Sequence, residues 1–127
     1  MSKTAISTEN APKPVAAFSQ AVRKGNILQV AGQVAFDPAT GAIVGETVGE
    51  QTEQTFKNIE AVLEAAGSSL ADAMMVRVYL TDVDHFGAFN EVYNKLIGEA
   101  PHPARTTVYV GLPAGLLVEI DVLAVTD

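Results

Sequence analysis

TVGEQTEQTFKNIEAVLEAAGSSLADAMMVRVYLT (Thr47–Thr81) changes its hydrophobic period part-way along, and that change decides the fold. In the first half Phe56, Ile59, Val62, Leu63 and Ala66 recur at intervals of three and four. Glu53, Lys57, Glu60 and Glu64 fall off that stripe, as on a helix that buries one face. Thr47 and Glu50 stand ahead of it at capping-box spacing and Gly67 closes it, so a helix is predicted from about Glu50 to Ala66. Met74–Thr81 (MMVRVYLT) then alternates and is rich in β-branched residues, which predicts a strand.

Downstream, Asp82 or Asp84 can cap a second helix over roughly Asp84–Ile97. Its buried stripe would be Phe86, Phe89, Val92, Tyr93, Leu96 and Ile97, with Asn90 off the stripe. Gly98 ends it, and Pro101 and Pro103 prevent continuation. Arg105–Val110 and Leu116–Thr126 read as the last strands. Upstream, residues 1–14 read as an extended arm. Phe18–Arg23 and Ile27–Gln33 read as a hairpin about Lys24-Gly25-Asn26, and Val34–Phe36 runs extended into a turn at Asp37–Gly41. The order ββ(β)αβαββ predicts an α+β fold, a largely antiparallel sheet with both helices on one face. The other face must be polar or covered by another subunit, which favours a homo-oligomer.

The bulk numbers narrow the function. A length of 127 residues predicts one domain spanning 1–127, and no apolar run approaches a membrane span. The first residues lack the apolar core of a signal peptide, so a cytoplasmic location is expected. With no cysteine there is no disulfide, thiolate metal site or thiol nucleophile. A net charge of −7 repels phosphate backbones, and the basic residues are scattered apart from adjacent Arg23 and Lys24, so no nucleic-acid partner is expected. No glycine-rich nucleotide loop occurs, Ser19, Ser68 and Ser69 lack a nucleophile-elbow context, and His85 and His102 are far apart. Neither cofactor nor metal is expected.

Strand alternation supplies candidate chemistry. Arg105, Thr107 and Tyr109 share one face of their strand, and Glu119, Asp121 and Leu123 share one face of the next. If the more apolar row of each strand faces the helices, Arg105, Thr107, Glu119 and Asp121 point away from them together. Arg105 then either forms a structural cross-strand ion pair with Asp121 or Glu119, or grips a small carboxylate through its planar fork. In the second case a buried Glu119 serves as acid or base.

The segments TENAPKPVAAFSQAV, VAGQVAFDPATG, QTEQTFKNIEAVLEAAGSSL, VRVYLTDVDHFGAFNEVY and PARTTVYVGLPAGLLVEIDVLA together resemble the Rid (YjgF) family over nearly the whole chain. P-A-R-x-x-V followed by V-E-I is the most specific part. The resemblance implies a chorismate-mutase-like α+β fold: a homotrimer whose sheets line a central barrel, with sites in clefts between subunits. It also implies cofactor-free hydrolysis of reactive 2-imino and enamine acids, such as 2-aminoacrylate, to 2-keto acids and ammonia. Arg105 matches the arginine that binds the substrate carboxylate, and Glu119 the glutamate that orients or activates water. Gly32 and Asn90 match cleft-lining positions. Three positions depart from the characterised deaminases: Phe18 stands where tyrosine is usual, Ala31 where serine is, and Thr107 where cysteine is frequent. A trimer that binds small carboxylates without turnover is the alternative, and a ribonuclease role has no basic groove to support it.

Overall fold

The computed structural model describes residues 2–127. Thr47 caps the first helix, α1 (Val48–Ala65): its Oγ1 accepts from the Glu50 amide at 3.1 Å while Glu50 Oε1 accepts from the Thr47 amide at 3.1 Å. Gly67, at φ +73°, lets the chain turn back. Its amide donates to the Glu64 carbonyl and the Ser68 amide to the Leu63 carbonyl, which satisfies the otherwise orphaned helix end. The second helix, α2 (Phe86–Leu96), follows a short 3₁₀ turn at Val83–His85, where the Asp82 side chain accepts from the Asp84 amide.

Six strands make the sheet: β1 (Thr4–Ile6), β2 (Ala21–Lys24), β3 (Ile27–Gln33), β4 (Ala73–Leu80), β5 (Ala104–Tyr109) and β6 (Val118–Val125), in spatial order β1-β2-β3-β6-β4-β5. Every neighbouring pair is antiparallel except β4 and β5, which run parallel on either side of α2. Of the arm expected over residues 1–14, position 1 lies outside the described residues, Thr4–Ile6 is an edge strand on β2, and the chain then turns at Glu9–Asn10 and buries Ala11 against the core. The strand expected from Phe18 begins only at Ala21, so Phe18 lies in a loop.

Phe56, Ile59, Val62 and Leu63 of α1, with Phe89 and Tyr93 of α2, pack on Leu28, Val30, Val76, Val78, Leu80, Val118, Ile120 and Val122. The helices meet edge-on through Phe56 and Tyr93, ring centroids 5.9 Å apart. Three buried amides tie the loops to this core. Gln20 binds Thr8, Ala11 and Pro12, Gln51 binds Gly45, Gly115 and Leu117, and Asn58 binds Val34 and Phe36. Each amide would cost several kcal/mol if buried unpaired, on the order of 1–3 per lost partner.

Sheet register fixes which side chains share a face. Val76 pairs with Arg105 and with Val122, and Val78 pairs with Thr107 and with Ile120, so Arg105 and Thr107 lie on the helix side. Tyr79 pairs with Glu119 and Val108, and Arg77 with Asp121 and Thr106, so these lie on the open side. The expectation that Arg105 and Thr107 point away from the helices with Glu119 and Asp121 is therefore corrected. The apolar-row rule holds for β6, a central strand whose Val118, Ile120, Val122 and Ala124 are buried. It fails for β5 because an edge strand meets only the rim of α2. There a long side chain can stack its stem and head on rings, while Val108 stays 39% exposed on the other side.

Candidate functional site

Arg105 sits at the start of β5 beneath α2. Its guanidinium carbon lies 4.7 Å from the Tyr93 ring centroid, 5.5 Å from Phe89 and 5.7 Å from Phe86. These rings come from positions three and seven residues apart along α2, one helical stripe, and together they form a cation–π cradle. Among the described residues the guanidinium forms no ion pair. Burial raises the Tyr93 phenol above its ordinary pKa, with the nearby Arg105 charge opposing.

Asn90 belongs to the same stripe, four residues after Phe86 and three before Tyr93, rather than off it as expected. Its Oδ1 is buried without a hydrogen-bond partner among the described residues, and so is Thr107 Oγ1, one alternation along from Arg105. A free guanidinium with two buried, unanswered oxygens is an arrangement a polar ligand would complete. A hollow of about 220 Å³ opens beside it, bordered by Tyr93, Asn94, His102 and Arg105.

On the opposite face, Glu119 lies directly over Gly32. A Cβ added to Gly32 would meet Glu119 Cδ at 3.0 Å and Cγ at 3.3 Å, and would collide with Oε2. The missing Cβ is what lets the carboxylate sit so close; backbone conformation does not call for glycine here, since its φ is not positive. Burial, and secondarily the Asp121 charge, hold the Glu119 carboxyl above its ordinary pKa. Asp121 is itself occupied: Arg77 Nε donates to Oδ1 at 2.7 Å and Tyr79 Oη donates to Oδ2 at 2.8 Å. The structural ion pair weighed for Arg105 is thus made by Arg77 instead. Arg77 and Tyr79 were missed by the sequence reading, although the alternation in VRVYL placed them on one row.

Gly32 also borders a small hollow of about 130 Å³ whose apolar walls are Pro12, Val15, Phe18, Val34 and Phe36. Ala31 sits in the bulge between Val30 and Gln33, its amide donating to the Gln20 carbonyl at 2.9 Å. The candidate residues therefore form two half-sites on one chain. Arg105, Asn90 and Thr107 lie on the helix side, and Glu119, Gly32 and Phe18 lie at the other. His85 opens α2 and His102 borders the Arg105 hollow; among the described residues no group of three metal-ligating side chains occurs. Among the described residues no helix is long and apolar enough to cross a membrane.

Fold and half-sites define a class: small α+β proteins with a caged arginine at a sheet edge and a glutamate packed on glycine across the sheet. The profile of the endoribonuclease L-PSP family matches residues 8–126, and the chain belongs to that family, also called YjgF/Rid. It is 50% identical over 123 residues to a RutC family protein of Pyrococcus horikoshii, covering 96% of this chain and 97% of that one. It is 35% identical over 126 residues to a protein of Dermatophagoides farinae named 2-iminobutanoate/2-iminopropanoate deaminase, covering 98% of both. Among solved structures, RidA from an Antarctic Psychrobacter superposes with a TM-score of 0.91 at 42% identity, over 97% of this chain and 99% of that one.

Proposed function

We propose that the protein is a hydrolytic deaminase of 2-imino and enamine acids, working as a homotrimer whose seams join the arginine half-site of one copy to the glutamate half-site of its neighbour. The observation that carries this reading is the unpaired Arg105 guanidinium, held by three rings beside the unanswered oxygens of Asn90 and Thr107. The deaminase name of the Dermatophagoides relative supports it.

Arg105 takes the substrate carboxylate through its two-pronged fork, and Asn90 and Thr107 complete the polar wall. The imine carbon is already electrophilic, so the protein must mainly position it and aim a water. Glu119 accepts a proton as the water oxygen bonds to that carbon and passes it to the imine nitrogen, which gives a carbinolamine. It then takes the proton of the new hydroxyl and delivers it to the amino nitrogen as the C=O bond forms and the C–N bond breaks, so that ammonia departs and the 2-keto acid remains. The raised pKa of Glu119 brings it nearer neutrality, which suits a group that must both take and give a proton.

The test generates imines with an amino-acid oxidase and traps survivors as semicarbazones. Added protein should lower the trapped imine, Arg105→Ala should abolish the effect, and no change at high protein across several imines would defeat the reading. Phe18 favours a second reading, since it presents no hydroxyl to a substrate: a trimer that binds 2-keto acids without turnover. Calorimetric binding of keto acids with no imine loss would decide for it. The family's ribonuclease description finds little support in a chain of net charge −7 with scattered basic residues.

A further inference from the structure

We infer that the hollow beside Gly32 receives the substrate's side chain and selects a large apolar one, of the isobutyl or benzyl class, over methyl. The inference rests on the reading of Glu119 over Gly32 as the reacting end, and it adds what that end holds. Gly32 is the common point: the Glu119 carboxylate packs against its α-carbon, and the same residue borders the hollow. A molecule whose reacting carbon sits at Glu119 therefore has its side chain within reach of the hollow.

Size and lining decide what fits. The hollow measures about 130 Å³, close to the roughly 150 Å³ of a dry apolar cavity that accepts benzene. A methyl group would leave most of it unfilled. Phe18 and Val15 stand 52% and 95% exposed at its edge, apolar surface with no partner in the chain that a bound side chain would cover. Phe18 brings no hydroxyl, so nothing there rewards a polar side chain. Lys13 and the Gln33 amide, which also line the hollow, are the exceptions, and the glutamate imine and 2-oxoglutarate serve as their controls. The far wall is fixed, because Gln20 anchors Thr8, Ala11 and Pro12.

Each buried carbon is worth about fourfold. An isobutyl chain has three more carbons than methyl, which would give roughly 50-fold at full burial. In an open hollow the expected preference is on the order of tenfold in kcat/KM. Imines made from leucine, phenylalanine, alanine and glutamate are to be compared at matched concentrations, with 4-methyl-2-oxopentanoate, pyruvate and 2-oxoglutarate titrated by calorimetry in parallel. The leucine and phenylalanine imines should be hydrolysed about tenfold faster than the alanine imine, and Phe18→Ala should shrink that ratio. Phe18 is half exposed, so folding does not stand in the way. Small imines turned over as fast as large ones would overturn the inference while leaving the deaminase reading intact. Turnover of none would defeat the deaminase reading, and the keto-acid titrations would then decide. Tighter binding of 4-methyl-2-oxopentanoate supports the apolar pocket; pyruvate binding as tightly, 2-oxoglutarate winning through Lys13, or no binding at all overturns it.

Discussion

Replacing Gly32 with alanine separates the position of Glu119 from the stability of the fold. The new methyl would fall 3.0 Å from Glu119 Cδ and closer still to Oε2, so the carboxylate must retreat by on the order of 1 Å to restore van der Waals contact. The obstacle is the far end of a flexible side chain on the open face, and Gly32 has no left-handed φ to lose. The swing should therefore be cheap for folding, and the stiffer unfolded chain offsets part of it by about 0.4–1 kcal/mol. Catalysis has no such freedom. A misplacement of about 1 Å can cost about 10²-fold in rate, so Gly32→Ala should keep a near-wild-type Tm while kcat/KM for imine hydrolysis falls roughly 100-fold. Thermal melts and the semicarbazide assay on one preparation read both quantities. Activity within twofold of wild type in a folded variant would refute the idea that the carboxylate acts from its seat over Gly32.

Tyr93→Leu removes the ring nearest the Arg105 guanidinium while keeping an apolar side chain in the core. Losing a cation–π contact of about 0.5–2 kcal/mol should raise KM for carboxylate substrates roughly 2–30-fold with a smaller effect on kcat, measurable in steady-state kinetics. Glu119→Gln should raise stability at neutral pH. Burial and the Asp121 charge lift the folded carboxyl above its unfolded pKa, so its contribution is fully present below the unfolded value and lost as pH rises through the folded one. The Tm advantage of the glutamine variant should appear over that rise and vanish on acidification; a gap independent of pH would count against it. Tyr79→Phe leaves Asp121 Oδ2 without its phenol donor and should cost about 1–2 kcal/mol in urea unfolding at fixed protein concentration.

What the sequence disclosed followed the range of the interactions. The cap at Thr47 and Glu50, the stop at Gly67 and the stripe Phe56–Ile59–Val62–Leu63 involve neighbours within one or two turns, and they could be read directly. Strand β6 could be oriented because it is flanked on both sides and its apolar row is buried on one. The face of β5 could not, since it depends on which aromatic residues of α2 overhang the sheet edge. The pairing of Asp121 with Arg77 rather than Arg105 depends on β6 lying between β3 and β4, a topological fact that no local pattern contains. Asn90 was misplaced for a simpler reason. Its polarity hid its membership of the stripe Phe86–Phe89–Tyr93, although its spacing is the right one. Glu119 over Gly32 joins residues 87 positions apart, and only the register of β3 on β6 reveals it.

In the trimer proposed above, the sheet that separates Arg105 from Glu119 makes defects transferable between copies. A chain carrying Arg105→Ala is blind only in its arginine, and a chain carrying Glu119→Gln only in its acid. Neither should turn over imine alone. Unfolded together in equal amounts and allowed to reassemble, they should regain about a quarter of wild-type activity, the share of seams that draw both sound halves by chance. Recovery would count neighbours in the way a genetic cross counts alleles, and a mixture that stayed silent would mean that each chain works with its own two halves after all.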